Sequence, residues 1–496
     1  MTNKPRVAIL STWNEICGIA HFTKGIKDGL ESQGYDVEVL PTPRMILGNA
    51  TDGAEKLAAE SYCRHLGQRI KEFDHVNIQF EPGILANDMM TAMKRFKIIT
   101  KHAKSMSITW HYLGRRLKTP ASEIARLMSR GKVRYALALK RSEKTLNNSW
   151  DFLFDTIDSL GKKIPISHIV HTKRDQHLAS SIFNGDIYKI DTKENELQNA
   201  KTDQERAKIS KVLTKLKRGL QPVHATPLTY LSEDTKAGFV DKLKNSDLKD
   251  VLPTQKSEDT RYVGVFGFFS GYKGFETAID AIDSLPPNYE LLMFSSVHES
   301  TLRIESRRDE YLGELYDHLK KRDRKIRGLN AKKAITKSKL LTRIDGKKGS
   351  STKEAKELMD KTFEKKKALS DRVHFLGAVS DDDLVLGMML CDAVLFPYIN
   401  SPHTASGPMA QAIELDRRIF ASRNIQFVEL AKFHETHFEF CDIGNSIEYA
   451  QKIPRMTEDR TERDVHGYRV IDYPKREREN DMARAISLYE KAIAHK

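Results

Sequence analysis

Short apolar runs alternate with stretches of helical periodicity through the first hundred residues, and this alternation constrains the fold more than any other feature. The apolar run at residues 7–10 precedes an amphipathic stretch from 18 to 32, in which apolar side chains recur at helical spacing. Another run at 37–40 follows, and the pattern repeats with a helix at about 54–71 and a strand at 76–80. Short buried strands that alternate with amphipathic helices are typical of parallel sheets. The sequence therefore predicts an α/β fold.

The same alternation restarts in the second half of the chain. An apolar strand at 262–266 precedes a helix at 273–282 and another strand at 291–294. About seventy charged, helix-prone residues separate that strand from the next one, at 373–376. A loop of this length inside a compact domain indicates a functional or unstructured insertion. We interpret the chain as two similar α/β halves that divide within 225–260.

The net charge is concentrated in two segments. The 496 residues carry 82 Lys and Arg against 68 Asp and Glu, a formal charge of +14. Residues 320–348 hold 13 Lys and Arg against two acidic residues, and residues 115–144 hold 10 against two, whereas the rest of the chain is slightly acidic. Lysine-rich helices are usually only solvated, but two acids cannot neutralise thirteen bases. The stronger segment therefore indicates a polyanionic partner.

Composition and cysteine usage predict a soluble cytoplasmic protein. At 39% apolar and 8% aromatic residues, the composition is that of a globular chain. The first six residues run directly into an apolar strand, so we expect no signal peptide, and no apolar run reaches the roughly 18 residues of a membrane span. The four cysteines lie far apart without a CxxC motif, so reduced thiols are expected instead of disulfides or a zinc site.

Three turns at predicted strand ends carry residues suited to binding an anion. In open α/β sheets, ligands collect at the carboxyl ends of the strands. Gly18 lies at the start of the first helix, where exposed N–H groups attract phosphate, although a plain tight turn is an alternative. The turn at 267–274 contains Lys273, which either clamps a diphosphate or is a solvated lysine at a helix start. A third turn, at 398–408, leads with small and hydroxyl residues into a helix.

Three sequence blocks resemble retaining nucleotide-sugar glycosyltransferases of the two-Rossmann (GT-B) type, especially glycosyltransferase family 4. The blocks are CGIAHFTKGIKDGLESQGYDVEVL, VGVFGFFSGYKGFETAIDAIDSLP and DRVHFLGAVSDDDLVLGMMLCDAVLFPYINSPHTASGPMAQAIELDRRIFAS. The resemblance covers about half of the chain in about the expected order and spacing, and the third block is the most specific. The resemblance implies two Rossmann-like domains that face each other across a cleft. It also implies a UDP- or GDP-sugar donor bound mainly by the C-terminal domain, an acceptor bound mainly by the N-terminal domain, and transfer with retention and without a metal or other cofactor.

On this architecture we expect an N-terminal acceptor domain at residues 1–225, with a helical hairpin inserted at about 188–218. The C-terminal donor domain is expected at 226–475, with a basic helical insertion at about 298–370, and a C-terminal helix at 476–496. One basic segment then belongs to the acceptor side of the cleft and the other to the donor domain.

The resemblance assigns roles to individual residues. His111, at the end of a predicted strand, matches the histidine beside the transferred sugar, although a histidine bonded only to backbone is an alternative. Lys273 matches the lysine that holds the diphosphate, and we expect these two residues to be catalytic. The expected donor-binding residues are Gly18, Ile19, Gly267, Lys273, His403, Thr404, Ser406, Gly407, Gln411 and Glu414.

Three positions depart from the family's motifs. Phe268 occupies the place of an arginine, and the two family glutamates fall on His403 and Gln411. Gln411 can still hydrogen-bond to hydroxyl groups but offers no carboxylate, which Glu414 one helical turn later could supply. The departures concern the identity of the sugar and the stabilisation of a cationic transition state, whereas the phosphate-binding turns are kept.

The two basic segments are the only guide to the acceptor. DNA is favoured, because phage glycosyltransferases that modify hydroxymethylated bases share the architecture and need phosphate contacts. One alternative is an enzyme of cell-envelope or lipid-linked glycan synthesis that docks on an anionic membrane, and another is a non-catalytic nucleic-acid-binding protein on the same fold. No stable protein partner is indicated. The expected polyanion-binding residues are Arg115, Arg116, Lys118, Lys320, Lys321, Arg322, Arg324, Lys325, Arg327, Lys332 and Lys333.

Overall fold

The computed structural model describes most of the chain in two compact units. The first unit comprises Met1–Ser232, Pro402–Ala410 and Arg478–Lys496, and the second comprises Glu233–Ser401 and Gln411–Glu477. Positions outside the description are 1–3, 16, 49, 51, 115–117, 185–186, 201, 218–219, 232, 254–258, 298–309, 346–366, 400–405, 435–437, 475–480 and 496. The backbone alone is described for residues 187–191, 214–217, 233–237 and 337–345.

A parallel six-stranded sheet forms the core of the first unit. Its strands are β1 (Arg6–Ser11), β2 (Asp36–Pro41), β3 (His75–Phe80), β4 (Met106–Trp110), β5 (Ile166–Val170) and β6 (Val223–Ala225). They are ordered β2-β1-β3-β4-β5-β6, and all the pairings are parallel. Every residue of β3, β4 and β5 is buried, as expected for parallel strands that are covered on both faces.

Helices connect these strands. Those of the first unit are α1 (Gly18–Ser32), α2 (Arg44–Leu47), α3 (Gly53–Arg69), α4 (Pro82–Leu85), α5 (Met89–Thr100), α6 (Ala121–Ser129), α7 (Val133–Gly161), α8 (Lys173–Phe183), α9 (Ile187–Asn199) and α10 (Asp203–Lys217). The apolar stripe of α1 is buried at Phe22, Ile26 and Leu30, which is the spacing of one helix face. Helices α9 and α10 contact each other.

A second parallel six-stranded sheet forms the core of the second unit. Its strands are β7 (Arg261–Phe266), β8 (Tyr289–Phe294), β9 (Val373–Phe375), β10 (Ala393–Phe396), β11 (Ile419–Ser422) and β12 (Phe438–Cys441), in the order β12-β11-β10-β7-β8-β9. A separate antiparallel hairpin consists of β13 (Thr461–Val465) and β14 (Tyr468–Asp472). The two sheets confirm the prediction of an α/β fold with two Rossmann-like halves.

The remaining helices include one that is much longer than the others. They are α11 (Glu233–Lys242), α12 (Leu248–Val251), α13 (Phe275–Ser284), α14 (Glu310–Asp345), α15 (Asp381–Met389), α16 (Gly407–Glu414), α17 (Ile425–Ala431), α18 (Ser446–Met456) and α19 (Asp481–Ala494). The 36-residue helix α14 carries most of the stronger basic segment. Within the described residues, no helix combines the length and the apolar character needed to cross a bilayer.

The first half of helix α14 is anchored to its unit. Leu315, Leu319 and Ile326 are buried in the core of the second unit, and the carboxylate of Asp323 accepts hydrogen bonds from the backbone N–H groups of Leu369 and Ser370. Beyond Ile326, no described side chain of α14 is buried. Two basic residues of the described stretch that follows Ile326, Arg327 and Lys332, are exposed.

The last helix, α19, packs on the first one. A Cβ atom on Gly29 would lie 2.4 Å from the side chain of Ile486, and one on Gly25 would lie 2.8 Å from Met482. A side chain at Gly29 would therefore displace Ile486, whereas one at Gly25 would displace only the terminal methyl group of Met482. The residues of α19 thereby complete the hydrophobic core of the first unit, which precedes them in the chain by hundreds of residues.

Candidate functional site

Lys273 is a buried lysine between β7 and α13. It lies in the single 3-10 turn Gly271–Lys273, so the expectation that it begins the following helix is wrong: α13 begins at Phe275. Its side chain is almost completely buried, which excludes the alternative of a solvated lysine. Nζ donates a hydrogen bond to the hydroxyl group of Tyr398 over 2.9 Å, and no carboxylate of the described residues pairs with it.

The surroundings of this ammonium group are aromatic. Nζ lies 4.9 Å from the ring centroid of Tyr398 and 5.7 Å from that of Tyr272. Burial lowers the pKa of Lys273, because the charged form loses its hydration and gains no counter-charge. A buried cation without an acidic partner is unfavourable, and an anionic ligand would relieve that cost. The geometry therefore suits the binding of a phosphate or diphosphate.

The backbone next to Lys273 adopts a conformation that requires glycine. Gly274 adopts a φ of 66°, and a Cβ atom there would lie 2.1 Å from the carbonyl oxygen of Pro397. The backbone N–H of Ile399 donates to the carbonyl of Tyr272 over 2.7 Å. This close approach of two backbone segments holds Lys273 beside the tyrosine that follows β10. Only glycine fits at the contact.

In the first unit, two helix N-termini meet at one tyrosine. A Cβ atom on Gly18, the first residue of α1, would lie 3.5 Å from the hydroxyl of Tyr230, and one on Gly407, the first residue of α16, would lie 3.0 Å from it. Both glycines belong to the set predicted to face phosphate. Helix N-termini expose N–H groups and the positive end of the helix dipole, so two of them around a single hydroxyl create an anion-attracting environment.

His111 follows β4 directly and is held by a side chain of β3. Its Nε2 lies 2.7 Å from Oε1 of Gln79, and its backbone N–H donates to the carbonyl of Phe80. The alternative of a histidine bonded only to backbone is therefore excluded. Burial lowers the pKa of His111 well below its usual value, with a smaller contribution from His171 nearby. The imidazole is neutral near pH 7.

A network of buried polar side chains orients Gln79. Its Nε2 donates to Oδ1 of Asn77 over 2.6 Å and to the hydroxyl of Tyr489 over 3.2 Å, and that hydroxyl is 2.7 Å from Oγ1 of Thr109. The amide nitrogen of Gln79 is thus occupied, which leaves its oxygen facing His111. His111 must then carry its proton on Nε2. Its tautomer is set by residues from two strands and from helix α19.

His171 adjoins His111, and the sequence analysis did not single it out. It follows β5 as His111 follows β4, and the two ring centroids are 5.0 Å apart. The edge of Phe22, from α1, packs against both imidazoles. The signal that could have found it is positional: a histidine comes directly after each of two neighbouring parallel strands. The carboxyl ends of such strands are where ligands collect.

The other expected donor-binding residues divide between exposed and buried positions. Gly18 is exposed, whereas Ile19 is buried in the apolar stripe of α1. Gly267 has a φ of 111° and is partly buried at the end of β7. The side chains of Ser406, Gln411 and Glu414, which flank or belong to α16, are all buried. His403 and Thr404 lie outside the described residues.

Most of the expected polyanion-binding residues on α14 are exposed, with one exception. Arg322 pairs with the carboxylates of Asp280 and Asp283 on α13. Because it is engaged in this internal ion pair, it is not available to a polyanionic partner. Lys333 is partly buried. The exposed members are Lys320, Lys321, Arg324, Lys325, Arg327 and Lys332.

The weaker basic segment forms most of the α6–α7 hairpin. Lys118 precedes it and is exposed, and Arg115 and Arg116 lie outside the described residues. Around the turn between the two helices, the exposed basic residues are accompanied by exposed apolar ones. These apolar residues are Met128, Val133, Tyr135 and Leu137.

The chain shares its fold with a solved enzyme structure. The α,α-trehalose-6-phosphate synthase of Burkholderia multivorans aligns with a TM-score of 0.51 and 9% sequence identity, over 99% of this chain and 98% of that chain. HepE of Anabaena in complex with UDP-glucose aligns with a TM-score of 0.44 and 14% identity, over 99% and 96% of the two chains. The α,α-trehalose-phosphate synthase of Burkholderia xenovorans in complex with glucose-6-phosphate aligns with a TM-score of 0.45 and 10% identity, over 98% and 97%.

No sequence-family model and no curated protein sequence matches the chain. The similarity to the first of these structures extends over nearly the full length of both chains, and that structure has the two-Rossmann GT-B architecture. The expected GT-B fold class is thus confirmed at the level of the fold.

Proposed function

We propose that the protein is a glycosyltransferase that moves a sugar from a nucleotide-diphosphate sugar to an acceptor hydroxyl group. The observation that carries the proposal is Lys273, a buried ammonium with a tyrosine hydroxyl and aromatic rings around it and no carboxylate partner among the described residues. The shared fold is compatible with this chemistry but does not by itself assign it.

The reaction makes one main demand on the protein. Breaking the bond between the anomeric carbon and the diphosphate leaves an oxocarbenium-like sugar and a diphosphate that gains negative charge. Lys273 is suited to stabilise that charge, and the helix N-termini at Gly18 and Gly407 are suited to attract anionic groups. We propose retention of configuration: the acceptor hydroxyl attacks the face that the diphosphate leaves and gives its proton to the departing diphosphate oxygen, and no metal is required.

A panel of UDP- and GDP-sugars tests the donor assignment. We expect at least one donor to raise the melting temperature and to be hydrolysed slowly in the absence of an acceptor, in buffer that contains EDTA. Lys273→Met should abolish both effects, and Lys244→Met, which changes an exposed lysine of the same unit, should preserve them. A wild-type protein that neither binds nor consumes any donor would remove the enzyme assignment, and strict dependence on a divalent cation would remove the metal-free mechanism.

For the acceptor, we propose DNA that carries hydroxymethylated bases. The supporting observation is a set of exposed basic residues on α14 with few acids among them, which are Lys320, Lys321, Arg324, Lys325, Arg327 and Lys332. Phosphate contacts of this kind make binding steeply dependent on salt, by a slope of about 0.9 for each contact. Mass spectrometry of such DNA after incubation with each donor would detect the transferred sugar directly.

A charge-removal variant tests the role of α14. Replacing Lys320, Lys321, Arg324, Lys325 and Arg327 with glutamine should weaken duplex binding and flatten its salt dependence. Replacing two exposed lysines of α10, Lys208 and Lys211, is the control and should change neither the affinity nor its salt dependence. DNA binding that is absent or insensitive to salt would contradict the DNA proposal. Salt-dependent binding without donor consumption would instead identify a non-catalytic nucleic-acid-binding protein on this fold.

One observation favours the second candidate, an enzyme of cell-envelope or lipid-linked glycan synthesis. The turn of the α6–α7 hairpin exposes Met128, Val133, Tyr135 and Leu137 among basic residues, a combination that suits an anionic lipid surface. Vesicles of phosphatidylglycerol and phosphatidylcholine should then capture the protein, and asparagine at Val133 and Leu137 should release it. Capture that is unaffected by these substitutions would count against the hairpin as the docking element.

We also propose a cytoplasmic location. The four cysteines are free thiols, and Cys63, Cys391 and Cys441 are buried, as in proteins of a reducing compartment. Fractionation of the expressing cells would test this location.

A further inference from the structure

His171 has one ring nitrogen that is paired and one that is not. Its Nδ1 lies 3.1 Å from the backbone carbonyl oxygen of Thr226, an atom that can only accept, so Nδ1 carries the hydrogen and donates. Burial lowers the pKa of His171 to about 4, which keeps the ring neutral near pH 7. A neutral imidazole has a single N–H group. The other nitrogen, Nε2, therefore presents a lone pair and acts only as an acceptor.

This acceptor is buried without a donor. The side chain of His171 is 1% exposed, and Nε2 has no hydrogen-bond partner within the part of the chain that the structure describes. His168, three residues earlier on the same strand, shows what a structural histidine looks like here. Its Nδ1 accepts from Nε1 of Trp110 over 3.1 Å, and its Nε2 is 2.7 Å from Oε1 of Gln221. Buried polar atoms in native proteins are nearly always paired, so the orphan on His171 calls for a ligand.

The position of His171 indicates which chemistry that ligand has. The ring lies beside His111 at the carboxyl end of the sheet, and Phe22 makes T-shaped contacts with both imidazoles. His111 donates its own N–H to Oε1 of Gln79. Neither ring therefore has a hydrogen to offer an anion, and a lone pair that faces an anionic oxygen repels it. A hydroxyl group, which donates its hydrogen, is the matching partner.

We propose that Nε2 of His171 accepts a hydrogen bond from a hydroxyl group of the transferred sugar, which makes His171 a sugar-binding residue next to His111. The inference rests on the proposed glycosyltransferase function and adds a division of labour to it. The proposed function assigns the anionic part of the donor to Lys273. His171 selects an uncharged, hydroxylated group.

Two substitutions separate the two nitrogens of His171. Asparagine places its amide nitrogen near the position of Nδ1, so His171→Asn keeps a donor for the carbonyl oxygen of Thr226. The same substitution removes the acceptor at the position of Nε2. Glutamine reaches further, so His171→Gln restores a polar atom near Nε2. His168→Asn is the matched control, because it changes a fully paired histidine of the same strand.

The measurement compares a nucleotide with its sugar conjugate. Isothermal titration with UDP and UDP-glucose, and with GDP and GDP-mannose, gives the part of the affinity that the sugar contributes. We expect His171→Asn to lower the affinity for the sugar conjugate by about tenfold, as for the loss of one hydrogen bond. The affinity for the free nucleotide should not change. His171→Gln should recover part of the loss. The melting temperature should fall for His168→Asn and stay within about two degrees of wild type for His171→Asn, since the latter breaks no bond at Nε2.

The outcomes distinguish the inference from the function on which it rests. If wild-type protein binds no nucleotide and no nucleotide-sugar, the proposed function fails and the inference fails with it. If wild-type protein binds them and His171→Asn lowers both affinities equally, or neither, the inference alone is overturned. A fall in melting temperature as large as that of His168→Asn would show a structural role for His171 and would also overturn it.

Discussion

Gln79 sets the tautomer of His111: Oε1 of Gln79 accepts a hydrogen bond from Nε2–H of His111 over 2.7 Å. The amide cannot turn around without cost, because its nitrogen donates to Asn77 and to Tyr489. The lone pair of His111 is therefore on Nδ1. A proposed catalytic residue is thus oriented by a glutamine that has no charge of its own.

Gln79→Glu should change the ionisation of His111. A buried carboxylate at 2.7 Å stabilises the imidazolium form, so the pKa of His111, which burial holds well below 6.5 in the native protein, should rise. We expect transfer activity to fall most strongly at acidic pH, where the charged ring would persist. NMR titration of the His111 resonances would measure the shift. An unchanged titration curve would show that Gln79 does not control His111.

Lys273→Met should separate function from stability. The variant keeps the apolar stem of the side chain and removes an ammonium that no described carboxylate compensates, so we expect a melting temperature equal to or above that of wild type. Donor turnover should fall by about 10²–10³-fold, the usual loss for one group that stabilises a developing anion. Calorimetry and a donor-hydrolysis assay measure the two effects. A destabilised variant with normal turnover would contradict this account of the site.

Gly274→Ala should destabilise the second unit. The substitution imposes a side chain on a residue at φ 66° and brings Cβ to 2.1 Å from the carbonyl oxygen of Pro397. We expect a loss of about 2–4 kcal/mol in the free energy of unfolding, from backbone strain and from the displaced loop. Gly313→Ala is the control: it lies on α14 with no atom within 4 Å of the added Cβ, and should be neutral or slightly stabilising. Urea denaturation of both variants would decide.

Gly407→Ala should be rescued in part by Tyr230→Phe. The added Cβ would lie 3.0 Å from the hydroxyl of Tyr230, so the helix or the ring must shift, and we expect weaker binding of the donor diphosphate. Removing the hydroxyl creates room and should restore part of the affinity. Gly18→Ala, at 3.5 Å from the same hydroxyl, should need no such rescue. Titration calorimetry with UDP or GDP would show whether the two substitutions are coupled or simply add.

Acid should destabilise the first unit through its buried histidines. Burial lowers the pKa of His75 and His168 to about 3 and that of His171 to about 4. Between pH 6.5 and about 4, the unfolded chain binds protons at these sites and the folded chain does not, so stability falls as the pH falls. Each histidine contributes up to about 1.4 kcal/mol per pH unit in that window. Urea unfolding at pH 7, 6 and 5 should show how the free energy of unfolding falls with pH. His168→Gln should make this dependence shallower by the contribution of one proton. An equal pH dependence in wild type and His168→Gln would contradict the low pKa of His168.

Local patterns were sufficient to predict the elements of the fold. The apolar spacing in α1 predicts that helix from Gly18 to Ser32, and Ser380 caps α15 as its sequence indicates. Both are decided within a few residues of chain, where periodicity and capping chemistry act.

The parts of the site that the sequence missed depend on contacts between distant residues. The tautomer of His111 is set through Tyr489, which is 410 residues from Gln79 in the chain. Arg322 looks like its basic neighbours, but its position on α14 turns it toward Asp280. The burial of Lys273 follows from the approach of a separate loop, and the orphan nitrogen of His171 follows from a carbonyl at Thr226. No local pattern encodes any of these contacts.

The packing of α19 on α1 also constrains how the protein can be made. Met482, Ile486 and Tyr489 follow the entire second unit in the chain, yet they cover α1 and join the polar network of the first sheet. During translation, α1 is synthesised early and α19 last, so α19 cannot pack on α1 until the second unit has been synthesised. The side of α1 that α19 covers therefore stays uncovered for most of the synthesis of the chain, and the first unit is completed only after the second has been made.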